Sequence, residues 1–141
     1  MNKKNIIFMA HFIICVVLIF IYGSYRCDNP DFKDPLQTKL RLFDLDGWSL
    51  SHFLFFMLIG YNYGGQYLVA AFILGVLWEG FEHYYGEKRP GWLGGYGDCN
   101  NMRTDPLEGN WWYGKYTDII MNALGLLIGY YLQNKSLPFA F

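Results

Sequence analysis

The chain has 141 residues, room for one domain. It is 53% hydrophobic and 21% aromatic but only 16% charged, too few charges to coat a water-facing surface, where about 25% is usual. A formal net charge of −1 gives no electrostatic footing for nucleic acid. The mean hydropathy is only +0.11 because the apolar residues are gathered into runs, with the charges between them.

The first run, residues 5–22, reads NIIFMAHFIICVVLIFIY and follows Lys3-Lys4. A helix of about 20 residues crosses a hydrocarbon core of ~30 Å, so this run is expected to be a retained membrane span. A cleaved signal peptide is the alternative, disfavoured by the long apolar stretch and by Gly23-Ser24-Tyr25-Arg26-Cys27 after it. Residues 24–47 form a polar connection with Pro30 and Pro35, in which Leu36, Leu40, Leu42, Phe43 and Leu45 interleave with Lys39 and Arg41. That pattern reads as a short helix in the headgroup region.

A second span is expected over 48–63, with Asp46 or Ser49 as N-cap and Trp48 at the interface. Gly64-Gly65 then allows a tight hairpin into a third span, 67–85. A long Gly- and Trp-rich loop over 86–114 leads to the fourth, 116–132, where Gly125-x-x-x-Gly129 lets another helix come close. The expected fold is therefore all-α: a single integral membrane domain, a four-helix transmembrane bundle with one interfacial segment and one long loop. Orientation stays open. Most Lys and Arg residues lie on the loop side, whereas Lys3-Lys4 directly before the first span argues the other way.

Ionisable residues at bilayer depth cost roughly 2.5–3.5 kcal/mol each on insertion scales, so they turn inward and usually matter. Glu79, Glu82 and His83 stand three and four apart on the third span, which puts them on one face. Asp118 and Asn122 are four apart on the fourth; His52 lies on the second, one turn beyond Ser49, with Asp46 at its mouth. Carboxylates one turn apart repel in low dielectric and need a proton, a cation or a basic partner. His52, His83 or a divalent cation such as Mn or Zn could meet that need, and the same groups suit general acid/base work. Glu79, Glu82, Asp118 and His52 are thus the candidate catalytic residues, and His83, Asn122, Asp46 and Ser49 the candidate binding residues.

Plainer readings stand beside these. Glu82 and His83 could reach headgroups, Asp118 could serve a helix dipole, Asn122 could glue helices, and His52 could be a packing histidine. His11, alone in an apolar run, is read as bland. In the loop, Trp111-Trp112-Tyr113 is read as an interfacial belt, with a lid over the polar site as the sharper idea; Asp98-Cys99-Asn100-Asn101 is the other polar cluster. Cys15 reads as a buried thiol. Cys27 and Cys99 fall on one side of a four-span topology and are a disulfide candidate.

Glu79-x-x-Glu82 followed by Thr117-Asp118-x-x-x-Asn122-x-x-Gly125-x-x-x-Gly129 resembles the VanZ-like membrane proteins, as does the stretch from Asp46 through His52 and Phe53 to Gly60. Trp78-Glu79 with Glu82 is also similar to a related bacterial membrane family of unknown function. The resemblance covers about residues 46–132. It departs at Lys115, where the VanZ pattern often has an acid, and in the length of the 86–114 loop. It implies a multi-pass membrane protein, in some members linked to glycopeptide tolerance, and no defined activity.

Three functions compete. The first is a membrane-embedded site that binds or modifies a lipid-linked or headgroup substrate. The second is a non-enzymatic structural or assembly component whose polar residues only lock helices together, with membrane lipids and further copies of the chain as partners. A small transporter is disfavoured by the absence of an inverted repeat. There is no G-x-S-x-G, H-E-x-x-H or C-x-x-C motif, so whether the chain is an enzyme stays open.

Overall fold

The computed structural model describes residues 2–29, 32–40, 45–88, 90–92 and 112–135. Those residues are all-helical: α1 (Lys3–Asp28), α2 (Gly47–Tyr63), α3 (Gly65–Lys88) and α4 (Tyr116–Asn134), with one 3₁₀ turn at Pro35–Gln37. The chain divides into two compact units, one of Met1–Lys33 with Lys88–Trp111, the other of Asp34–Glu87 with Trp112–Phe141.

In the first unit, α1 starts where the Asn2 side chain accepts the Lys4 N–H at 3.3 Å. It runs to Asp28 rather than ending at residue 22. The Gly23-Ser24 pair does not break it, and Arg26 sits in its last turn, where a cation favours the helix C-terminus. Arg26 also donates to the Phe32 carbonyl at 2.9 Å. Among the described residues α1 is the one helix long and apolar enough to cross a membrane by length and composition. Cys15, expected as a buried thiol, is half-buried, and Cys27 takes part in a disulfide; Cys99 and the cluster around it lie outside the described residues.

The second unit opens with Asp34 capping the 3₁₀ turn through the Leu36 N–H at 2.8 Å. The short helix expected across 36–45 is not formed by its described part. Instead Lys39 and Asp46 pair as an antiparallel bridge, and Leu40 N–H meets the Leu45 carbonyl at 2.7 Å. The segment doubles back because Pro35 fixes the first turn and Thr38 leaves it in an extended conformation. Gly47 then begins α2 against the Leu36 backbone, where a Cβ would sit 2.7 Å from Leu36 Cα.

The α2–α3 connection is tight, as expected: Gly64 takes φ +76° and α3 begins at the next residue. Close helix approach explains the other glycines that matter. A Cβ on Gly125 would strike the Phe53 carbonyl, one on Gly129 the Met57 carbonyl, and one on Gly60 the Leu126 carbonyl. α2 and α4 are therefore in backbone contact, the approach expected of Gly125-x-x-x-Gly129. α3 packs on the pair at Gly75, whose space is filled by the Phe56 ring and the Asn122 amide.

Candidate functional site

The site grows from the N-cap of α2. Asp46 Oδ1 accepts the Ser49 backbone N–H at 2.9 Å, the capping bond that starts the helix, and lies 3.2 Å from Ser49 Oγ. Ser49 Oγ in turn bonds Asp118 Oδ1 on α4. One hydroxyl proton thus stands between two carboxylates. The other oxygen of Asp46 accepts the Tyr113 hydroxyl at 2.9 Å and pairs with Lys115 Nζ. Lys115 also lies over the Tyr113 ring, 4.6 Å from its centre. Burial pushes the Asp46 carboxyl up, but the bonds from Lys115, Ser49 and Tyr113 together hold it below the usual carboxylate range. Burial and the neighbouring Asp46 charge push the Tyr113 phenol up, so it stays protonated and keeps donating.

One turn further into the unit, His52 Nδ1 meets Asn122 Oδ1 at 3.0 Å and lies 3.4 Å from Glu79 Oε1. Asn122 Oδ1 can only accept, so the contact assigns the ring proton to Nδ1. Glu79 Oε2 accepts the Lys115 backbone N–H at 3.0 Å. Lys115 therefore serves two acids at once, Glu79 with its main chain and Asp46 with its side chain. His52, Glu79 and Asp118 each offer a ligand atom within 4.8 Å of the other two. Ser49 and Asn122 are fully buried, and Asp46, Asp118 and Glu79 are 2%, 2% and 4% exposed. Two buried atoms here have no hydrogen-bond partner, Glu79 Oε1 and Asn122 Nδ2.

Six of the sequence candidates thus meet in one place: Asp46, Ser49, His52, Glu79, Asp118 and Asn122. Glu82 is half-buried, close enough to interact with the charges of Glu79 and Asp118 but outside the hydrogen-bonded cluster. His83 does not belong to it. Its side chain is exposed and faces Glu87, 3.9 Å away. His11, on α1, hydrogen-bonds the Ile7 carbonyl at 2.8 Å.

The residues sequence reasoning missed are Tyr113 and Lys115. Trp112, expected on an interfacial belt, is buried at 2% exposed, with its ring 5.0 Å from Tyr85 and 6.2 Å from both Phe81 and Trp78. Gly86 admits the Trp112 backbone and Gly114 packs on the Glu79 carbonyl. This docking lays residues 112–115 along α3 and delivers Tyr113 and Lys115 to Asp46. The available signal was the charge balance: three clustered acids needed a cation, and Lys115 is the nearest one to Asp118 in sequence. Trp111 lies outside the described residues.

No protein-family model, curated protein or solved structure matches this chain.

Proposed function

We propose that the chain is a multi-pass membrane protein whose second unit offers a buried carboxylate–histidine site to a lipid headgroup or lipid-linked substrate. The observation that carries this reading is the distribution of side chains on α2, α3 and α4. Leu50, Leu54 and Leu58 are exposed along α2; Val69, Ile73, Val76 and Leu77 along α3; Ile120, Leu124 and Ile128 along α4. Buried between the helices are Ser49, Glu79, Asp118 and Asn122. In water, apolar patches of that extent are rare and polar interiors costly; in lipid, both are what a stable bundle requires.

The depth of the site favours a headgroup. Asp46 and Ser49 stand at the start of α2, Glu79 in the later part of α3, and Asp118 and Asn122 in the first two turns of α4. With α2 and α3 joined by a tight hairpin, these are equivalent ends. At 1.5 Å per residue, Asn122 lies only ~10 Å along its helix, a depth that a headgroup at the membrane surface can approach. The spacing shared with VanZ-like proteins supports the same topology, and membership of that family is part of the proposal.

The structural reading has its own support, since the Ser49–Asp118 and Lys115–Asp46 contacts join helix ends. Lipid retention separates the two. Chain purified in mild detergent should carry bound phospholipid or lipid-linked species detectable by native mass spectrometry. A Glu79→Gln variant should lose it while keeping its helicity and elution volume. Unchanged lipid retention in that variant would favour the helix-locking role, and a folded monomer in buffer without detergent would sink the membrane reading.

A further inference from the structure

We infer that His52, Glu79 and Asp118 form a binding site for one first-row divalent cation of the Mn²⁺ or Zn²⁺ class, an assignment that rests on the site reading above and sharpens it. The ligand atoms come from three helices and lie within 4.8 Å of one another. Tetrahedral ligands bound at about 2.1 Å to one ion stand about 3.4 Å apart, so the three groups close on an ion by side-chain shifts of up to about 1 Å. One imidazole and two carboxylates are a mixed nitrogen and oxygen set, which suits Mn²⁺ or Zn²⁺ better than the all-oxygen preference of Ca²⁺ or Mg²⁺.

Each ligand is held from behind, as metal ligands are. Glu79 is anchored through Oε2 by the Lys115 N–H. That leaves Oε1, buried and without a hydrogen bond, facing the His52 ring. Asp118 is anchored through Oδ1 by Ser49. Asn122 takes the Nδ1 proton of His52, which leaves Nε2 as the ring nitrogen that would ligate the ion. The unpartnered Oε1, on a side chain 4% exposed, is the atom that a ligand would satisfy.

Charge counting leads to the same class. Lys115 Nζ is committed to Asp46, so ionised Glu79 and Asp118 put two formal negative charges on the ligand set itself, with Glu82 close by outside it. One divalent cation balances both.

The test uses the full chain in detergent, stripped with a chelator and titrated with Mn²⁺ alone, free ion being read by electron paramagnetic resonance. One Mn²⁺ should bind per chain. Glu79→Gln and Asp118→Asn should each weaken binding by about 100-fold, and Ser49→Ala, which loosens an anchor only, by about 10-fold. Pulsed resonance of the bound ion should show an imidazole nitrogen. That coupling should persist in a His11→Gln/His83→Gln variant and vanish in His52→Gln. Absence of Mn²⁺ binding, carboxylate variants within threefold of wild type, or a nitrogen coupling that survives His52→Gln would each overturn the assignment. If a carboxylate variant fails to fold, by circular dichroism and elution volume, the nitrogen coupling in the folded wild type and double-histidine variant decides. Lipid retention measured on metal-free chain stays separate: losing the ion but keeping the lipid overturns this inference alone.

Discussion

α1 and the helices of the second unit use apolar residues in opposite ways. On α1 they cover both faces: Ile6, Ile13, Ile14, Val17, Leu18 and Ile21 are exposed on one, and Phe12, Val16, Ile19 and Phe20 are half-buried on the other, with only Phe8 and Gly23 buried. On α2, α3 and α4 the exposed apolar residues form stripes, and the opposite stripes carry glycines and the polar site. α1 is long and apolar enough to cross a membrane by length and composition, with His11 inside its apolar run. α3 and α4 bury Glu79 and Asp118 among the stripes turned inward. The lesson is that average apolarity measures a helix's content, whereas the face on which the polar residues lie determines the solvent it tolerates.

Four experiments test that contrast. The largest effect belongs to Asp46→Ala, which leaves Lys115 and Tyr113 without their shared acceptor and removes the α2 cap. Breaking one partner of a buried ion pair costs about 3–5 kcal/mol. The second unit should therefore melt well below wild type in a detergent thermal scan, and a melt unchanged within a degree would remove Asp46 from the centre of the network.

On α1 the corresponding experiment is Ile14→Lys, which puts a charge in the middle of an uninterrupted span. It should cost roughly 2.5–3.5 kcal/mol of insertion, read as a drop in the membrane-inserted fraction by glycosylation mapping. Full insertion of the variant would deny α1 the role of a span.

A smaller pair of substitutions separates packing from propensity within the second unit. Gly129→Ala drives a methyl group at the Met57 carbonyl and should destabilise by about 1–3 kcal/mol. Gly80→Ala has open space in front of it and should stabilise α3 by about 0.5–1 kcal/mol. Equal effects from the two would mean that α4 does not approach α2 as closely as described.

The mildest effect is on pH dependence. The folded state holds the Asp46 carboxyl below its ordinary value. Its contribution is therefore complete above the unfolded pKa of about 3.9 and fades as pH falls from there through the lower folded value. Acid unfolding should become shallower below about pH 4 in Asp46→Asn. Identical acid limbs in the two proteins would show that this carboxyl does not contribute.

Much of the site was legible because its warrants are local or energetic. Asp46 and Ser49 follow from capping chemistry, and the meeting of Glu79 with Asp118 from the cost of leaving acids in lipid. His83 was placed with Glu79 because residues four apart share a face. Four residues, however, advance a helix about 40° past a full turn. The buried stripe of α3 runs through Leu68, Ala71, Gly75, Glu79 and Gly86, and His83 falls beyond its edge. Tyr113 and Lys115 were not legible, since their acceptor lies 67 and 69 residues earlier and only the docking of Trp112 brings them there. The described part of the segment expected as a short headgroup helix, residues 36–40 and 45, forms a 3₁₀ turn and a bridge instead, because alternating apolar and charged residues suit a chain doubling back as well as an amphipathic turn.

Lys115 has a consequence for how the protein is made. Its partner Asp46 is synthesised 69 residues before it, and Glu79 36 residues before it. At translation rates of about 5–20 residues per second, the gap behind Glu79 is ~2–7 s. During that interval α2 and α3 can form as a hairpin whose acids lack their lysine and whose Ser49 and His52 lack their α4 partners, Asp118 and Asn122. The nascent chain therefore passes through a stage in which Asp46 and Glu79 are present without the Lys115 contacts that later hold both.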